Sequence, residues 1–273
     1  MTELAEKVQH DLVEAIDNDD LVLPTLPEVA MQIRQAAEDP EISVSTLSKV
    51  IGRDTALSAR LIKVVNSPLL RAAQEVTDLH TAITRLGVNY SSNLAIGLVM
   101  EQIFNARSEV VERKMRDVWR RSLEVAGVSY ALCRSYSQLK PDQAALGGLV
   151  HQIGVLPILT YAEDHYELLA DSVSLNHVIE QIHPLLGNKL LQVWEFPEQL
   201  VQIPEQYLDF KRQSAGIDYV DLVQVATLYC HKDTDHPLSR IDAFSVPAFK
   251  KLKIDPEDQA MCRDLEESRS MLY

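Results

Sequence analysis

The sequence predicts an all-α protein with the architecture of a two-lobed helical bundle. Apolar residues recur at spacings of three and four along most of the 273-residue chain, which is the period of an amphipathic helix. Only 9 residues are glycine, whereas Leu, Ala, Glu and Gln are abundant, and this composition favours helices over a turn-rich β fold. No stretch alternates apolar and polar residues over the length of a strand.

The first half of the chain predicts a pair of helices with a well-marked junction. Helical spacing runs through Leu47, Val50, Ile51, Leu57, Leu61, Val64 and Val65. The phase resets at Asp54, a residue type suited to cap the N-terminus of the second helix. Residues 66–68 (NSP) end that helix, because Asn tolerates the left-handed conformation that often closes a helix. Upstream, residues 23–27 (LPTLP) form a stiff approach to a helix whose first turn holds Glu28.

The second half predicts three further helical stretches. The first covers about residues 111–136, with an apolar stripe at Trp119, Leu123, Ala126, Tyr130 and Cys133. The next opens at Pro141, a favourable first-turn residue, and carries Ala145, Leu149, Ile153 and Leu156. A last amphipathic helix spans roughly residues 256–272. Breaks are expected at residues 39–40, 67–68, 105–108, 139–141, 183–184, 196–197, 214–216 and 233–237.

The break at residues 105–108 is the predicted seam between the two lobes. The domain organisation expected from this seam begins with an N-terminal amphipathic helix and ends with a helical extension. Its four segments are residues 1–20, the first lobe at 21–107, the second lobe at 108–232, and the extension at 233–273.

Charge and cysteine content exclude several classes of protein. The net charge of −14 repels phosphate backbones and anionic lipid head groups, which argues against nucleic-acid and membrane binding. The acidic N-terminus is not a signal peptide. The most apolar stretch, residues 144–159, is interrupted by His151, Gln152 and Pro157 and is too short to span a bilayer. Three cysteines without a CxxC pair fit a reducing compartment, so a cytoplasmic protein is expected.

Seven pieces of the sequence, together with their spacing, resemble the HDOD domain family. They are LPTLPEVAMQI at 23–33, IGRDTALSARLIKVVNSPLL at 51–70, VTDLHTAITRLG at 76–87, SSNLAIGLVM at 91–100, VWRRSLEVAGVSYALCRSY at 118–136, AALGGLVHQIGVLPIL at 144–159, and HPLLGNKLLQVWEFPEQLV at 183–201. The resemblance covers about residues 21–229. It implies an HD-like helical fold in the second lobe and a role in bacterial signal transduction. The motif positions that it marks in the first lobe are Pro27, Asp54, Arg60, Asn66 and Asn93.

The second lobe is similar to the HD superfamily of metal-dependent phosphohydrolases, and that resemblance identifies where metal ligands would fall. Such enzymes hold divalent metal with histidines and carboxylates, and the metal activates a water molecule. The first His position is Arg121 here, which stays protonated and has no lone pair to donate. The His-Asp pair is His151-Gln152, and the later Asp falls near Thr227. His183 matches one further His of the binuclear relatives.

Two histidines without a carboxylate make a weak site for a hard metal, so no cofactor and no catalytic residue are predicted. The principal hypothesis is a non-catalytic regulatory or scaffold protein whose protein partner comes in trans. One alternative is an HD-type phosphohydrolase with an altered site. Another is a sensor that binds an anion or a nucleotide in the vacated pocket, where Arg121 would either bind the anion or pair with a buried carboxylate. The histidine-rich run at residues 231–236 is expected to be a solvated turn.

Overall fold

Helices form all the regular secondary structure of the residues that the structure describes. In this computed structural model these are residues 3–18, 23–68, 70, 74–104 and 106–272. About 71% of the described residues are helical, and they contain no strand. The predicted all-α fold class is therefore confirmed.

Six helices precede the expected seam, and a 3-10 turn at Met100–Ile103 follows them. They are α1 (Glu3–Asp17), α2 (Glu28–Ala37), α3 (Val44–Ile51), α4 (Thr55–Val65), α5 (Leu79–Leu86) and α6 (Val88–Val99). Aspartate and serine side chains cap several of them by accepting a backbone hydrogen bond. Asp54 accepts from the Leu57 amide at 2.9 Å, as the sequence predicted. Pro27 occupies the N-cap position of α2, where its fixed backbone angle leads the chain into the helix.

The remainder of the chain is built around one long helix. The helices are α7 (Glu109–Tyr136), α8 (Pro141–Val150), α9 (Val155–Glu163), α10 (Tyr166–Ala170), α11 (Ser172–Val193), α12 (Glu198–Val201), α13 (Ile203–Gln206), α14 (Tyr219–His231), α15 (Pro247–Leu252) and α16 (Gln259–Arg269). Helix α7 packs along α8, α14 and α16. A Cβ on Gly127 would lie 2.1 Å from the Ser268 carbonyl oxygen, so this glycine permits the close approach of the C-terminal extension to α7.

The two halves share one hydrophobic core. A single cluster of buried side chains runs from Ala5 to Leu272, and α6 packs against both α2 and α8. Helix α1 packs against α11, so the beginning of the chain lies on the second half. The Trp194 indole also donates a hydrogen bond to the Pro24 carbonyl, at 3.1 Å. The proposed division at residues 105–108 falls between the 3-10 turn and α7, and the boundaries of the four segments remain predictions.

A buried ionic network fastens the C-terminal extension to the second half. The carboxylate of Asp221, at the start of α14, is almost fully buried and is paired with Arg212 at 3.3 Å and with Lys251 on α15. Burial raises the pKa of Asp221, and hydrogen bonding to Lys251 partly opposes that rise. Asp218 completes the arrangement by capping α14 and pairing with Arg212.

Two local predictions, one in each half of the chain, were wrong. Pro184 does not break the chain but lies inside α11, because buried residues on both sides of it, including Ile182 and Leu186, hold the helix together by packing. Asn66 ends α4 as expected but with φ −89°, so it is not left-handed. Its amide instead clamps Val76, donating to the carbonyl at 2.7 Å and accepting from the amide nitrogen at 2.9 Å.

One described stretch, Pro141–Glu163, is long and apolar enough to cross a membrane by length and composition. However, 83% of its most apolar 18-residue window is buried inside the fold, and a turn at residues 151–154 separates α8 from α9. The stretch is thus accounted for as core helices of the second half.

Candidate functional site

Five side chains lie at the positions where the resemblance to the HD superfamily places metal ligands, and they come from four parts of the second half. Arg121 lies on α7, His151 and Gln152 lie in the turn between α8 and α9, His183 lies on α11, and Thr227 lies on α14. The structure brings His151, Gln152 and His183 together around a residue that the sequence reasoning did not select, Tyr207, which follows α13.

Close backbone contact holds the His151 turn against α11. Gly154, at the start of α9, lies so near α11 that a Cβ on it would be 2.1 Å from the His183 carbonyl oxygen and 2.4 Å from the Gly187 nitrogen. Only glycine fits at such a distance. This contact sets the spacing between the two histidines.

His151 is fully buried and neutral. Its Nδ1 lies 2.6 Å from the Gly148 carbonyl oxygen, and because a carbonyl can only accept, Nδ1 carries the proton. Nε2 then presents a lone pair, and it has no hydrogen-bond partner among the described residues. Burial lowers the pKa of His151 to about 3, so the ring is uncharged at neutral pH.

Tyr207 fills the space between the two histidines. The Nδ1 of His183 donates to the Ile179 carbonyl at 2.7 Å, which leaves Nε2 to accept from the Tyr207 hydroxyl at 2.8 Å. The Gln152 amide donates to the same hydroxyl at 3.4 Å. The ring of Tyr207 stands edge-on to His151, with centroids 4.9 Å apart. Burial lowers the pKa of His183 to about 4 and raises the pKa of Tyr207.

Arg121 does not bind Tyr207 or the two histidines; it interacts instead with Glu124 and with the backbone of α14. Its guanidinium donates to Glu124 at 2.6 Å and to the Cys230 carbonyl at 2.8 Å. Glu124 is mostly buried and also accepts from Arg269 on α16 at 3.1 Å. Of the two roles weighed for Arg121, pairing with a buried carboxylate is the one that this geometry supports.

Thr227 and His231 lie one helical turn apart on α14. Thr227 is fully buried, and its hydroxyl has no hydrogen-bond partner among the described residues. His231 donates from Nδ1 to the Thr227 carbonyl at 2.8 Å, and burial lowers its pKa to about 4. The expectation of a solvated turn was therefore wrong for His231, because α14 extends through it and buries the ring; His236, by contrast, is exposed.

The residues present do not fit a divalent metal ion. Within the described part of the chain, no group of three or more His, Cys, Asp and Glu side chains is placed to hold one. The lone pair of His183 is engaged by Tyr207, and Gln152 supplies an amide where a hard cation requires a carboxylate. The unpartnered Nε2 of His151 is one donor, which is too few for a structural or catalytic site.

Two of the motif positions in the first lobe make surface contacts near the end of α6. Besides capping α4, Asp54 accepts from the Gln102 amide at 2.9 Å. Arg60 donates to the Leu98 carbonyl at 3.1 Å and pairs with Glu101. Both side chains of the pair are partly exposed, and such pairs contribute about 0–1 kcal/mol. These contacts are structural.

Asn93 has a different position, since it joins the two halves. It projects from α6 and donates to the carboxylate of Asp142, in the first turn of α8, at 2.6 Å. Both residues line a groove of about 350 Å³ between the halves. The sequence marked Asn93 as a motif position, but it contained no signal for the groove, whose walls are distant in the chain.

Comparison with known proteins relates the chain to one family over most of its length. The HDOD domain matches residues 23–208. An uncharacterized protein of Treponema pallidum (strain Nichols) is 25% identical over an aligned length of 209 residues; the match covers 71% of this chain and 38% of the relative. The chain thus spans well under half the length of that curated relative.

Solved structures show the same fold. A candidate metal-dependent phosphohydrolase from Shewanella amazonensis SB2B is 28% identical, with a TM-score of 0.86 and complete coverage of both chains. An HDOD domain protein with unknown function from Geobacter sulfurreducens is 18% identical, with a TM-score of 0.67 over 99% of this chain and 97% of the other.

Proposed function

Because the chain belongs to the HDOD domain family, we propose that it is a non-catalytic regulatory or scaffold module of bacterial signal transduction. The family is related to the HD phosphohydrolase superfamily, in which a metal supplies the Lewis acid and the nucleophile. The observation that supports a non-catalytic role is Tyr207, whose hydroxyl engages His183 and whose ring packs on His151.

Tyr207 closes the site in two ways. A neutral phenol with a raised pKa is not an anionic ligand at neutral pH, so it cannot replace the missing carboxylate. Its ring also packs against both histidines, which are buried, while Gln152 is half-buried. Water activation and phosphate access would both require this residue to leave the core. A module of this kind acts through its surface, by binding a protein partner.

The second candidate function is an HD-type phosphohydrolase with an altered site. Two observations favour it: the likeness to the Shewanella amazonensis protein described as a candidate metal-dependent phosphohydrolase, and the free lone pair on His151. In that case the ion would have to bind with a donor set unlike that of the superfamily.

Metal analysis and a turnover assay separate the two functions. The protein is purified without chelator, its content of Mn, Fe, Zn and Mg is measured by mass spectrometry, and hydrolysis of bis(p-nitrophenyl) phosphate is followed with each metal added. We expect far less than one metal per chain and no turnover above the buffer rate.

Two histidine variants control this assay. His151→Ala removes the free lone pair, and the exposed His80→Ala is the matched control. Stoichiometric metal together with turnover that His151→Ala abolishes and His80→Ala retains would overturn the non-catalytic proposal.

A further inference from the structure

We propose that the groove between the two halves binds an extended segment of a partner protein that presents apolar side chains beside Arg or Lys. This inference rests on the proposed function, since a scaffold module needs a surface for its partner. The groove is separate from the residues around Tyr207. Its lining includes none of the five positions compared with metal ligands, namely Arg121, His151, Gln152, His183 and Thr227.

The groove has an apolar floor and a polar rim. Its floor consists of buried aliphatic side chains, namely Leu26, Ala30, Ile96, Leu146 and Leu200. The rim carries amides and charged groups from α2, α6, the start of α8 and the corner at residues 195–197. An apolar floor with a few polar groups around it is the usual form of a binding cleft, and clefts favour the boundary between two structural units.

Contacts across the groove hold its two walls in place. Asn93 on α6 donates to Asp142 on α8 at 2.6 Å. On the opposite side, Arg34 on α2 donates to the Trp194 carbonyl and pairs with Glu195 at 3.4 Å. Because these bonds join the halves already, a ligand would enter a preformed site and would not need to bring the halves together.

The charge of the lining favours a cationic ligand. Three carboxylates, on Glu38, Asp142 and Glu195, face two cations, on Arg34 and Lys140. The pairing of Arg34 with Glu195 leaves Glu38 and Asp142 against Lys140. The chain as a whole carries −14, so basic partners are attracted and phosphate-bearing ligands are repelled.

The size of the groove favours an extended segment. Its volume of about 350 Å³ is near the lower end of the range for ligand clefts, which is about 300–1,000 Å³. A helix with its side chains is about 10–12 Å across and would not fit into so small a space. One or two side chains of an extended partner segment are enough to fill it. Its aliphatic side chain packs on the apolar floor, and its Arg or Lys side chain pairs with the carboxylates of the rim.

Peptide binding to the full chain tests this inference. The probe is a short fluorescein-labelled peptide in which Leu and Arg alternate on a Ser background, and the comparison peptide replaces each Arg with Glu. Binding is measured by fluorescence polarisation, with and without millimolar ATP as a competitor. We expect the Leu-Arg peptide to bind and the Leu-Glu peptide to bind at least about tenfold more weakly.

Groove variants locate the binding. Ala37→Trp fills the groove from the end of α2 and should weaken binding about tenfold, whereas Gln35→Trp, exposed on the same helix and outside the groove, should change it less than about twofold. If Ala37→Trp does not fold by circular dichroism, Glu38→Lys replaces it, with the exposed Glu41→Lys as its control.

Each of the following results would overturn the inference: equal binding of the two peptides, no difference between the groove variants and their controls, or displacement of the peptide by ATP. Absence of any peptide binding would also do so. The metal and turnover measurements are independent of these outcomes, so the groove can fail while the non-catalytic proposal stands.

Discussion

Replacing Tyr207 with phenylalanine tests the arrangement around His151 and His183 most directly. The substitution removes the hydroxyl and keeps the ring, so it creates no large cavity. The Nε2 of His183 loses its donor, and the Gln152 amide loses its acceptor. His183 is almost fully buried and its Nδ1 is already engaged with the Ile179 carbonyl, so no rearrangement within the ring restores the lost bond.

The size of the effect follows from the burial of the orphaned acceptor. Leaving a buried polar atom without a partner costs about 1–3 kcal/mol, so the free energy of unfolding should fall by about that amount. Tyr207→Ala removes the ring as well and should lower it by about 3–5 kcal/mol. Added phenol should then restore part of the loss in the alanine variant, because a ligand that binds only the folded state stabilises it.

Urea unfolding followed by circular dichroism measures these changes, with Tyr166→Phe as the control. Tyr166 is 80% exposed, so its hydroxyl contributes little and the change should stay within about 0.5 kcal/mol. If Tyr207→Phe is no more destabilising than Tyr166→Phe, the hydrogen bond to His183 does not stabilise the fold, and Tyr207 is then not what keeps the site closed.

Three further predictions concern stability. Burial lowers the pKa values of His151, His183 and His231 from the ordinary 6.5 to about 3, 4 and 4, so below pH 6.5 the folded state binds fewer protons than the unfolded state. The free energy of unfolding should therefore be highest above pH 6.5 and should fall by about 1.4 kcal/mol per pH unit for each histidine as the pH drops towards 4. A free energy of unfolding that stays constant between pH 7 and 5 in urea titrations would contradict this prediction. Asn66→Ala removes both bonds of its backbone clamp and should lower the free energy of unfolding by about 1–3 kcal/mol, and a loss below about 0.5 kcal/mol would show that the clamp is dispensable. Asp221→Asn leaves Arg212 and Lys251 facing an uncharged amide and should lower the free energy of unfolding by about 3 kcal/mol, as measured by thermal or urea unfolding. An unchanged free energy of unfolding would argue against a buried ionic network.

Features that depend on neighbouring residues could be predicted from the sequence. Asp54 is recognisable as a cap because its partner, the Leu57 amide, is three residues away. The start of α8 at Pro141 is predictable for the same reason, since proline is suited to the first turn of a helix. The family follows from the spacing of seven pieces across the chain. In each case the feature depends either on residues that lie close together in the sequence or on a pattern that extends along much of the chain.

Features that depend on distant contacts could not be predicted. Pro184 is a strong local signal for a break, but packing on both sides of α11 overrides it. Tyr207 reaches His183 and Gln152 across 24 and 55 residues, and nothing in the local sequence distinguishes it from other buried tyrosines. His231 is buried because α14 continues to that residue against the core, which only the folded chain determines.

The packing of α1 on α11 has a consequence for how the chain is made. Residues 18–171 separate the two helices, and a ribosome adding about 5–20 residues per second needs roughly 8–30 s to synthesise them. During that interval the apolar side chains Ala5, Val8 and Leu12 of α1, which are buried in the finished fold, lack their main partner helix. Helix α1 therefore leaves the ribosome well before α11 and docks late, and the nascent chain has an apolar surface that needs protection from aggregation until α11 emerges.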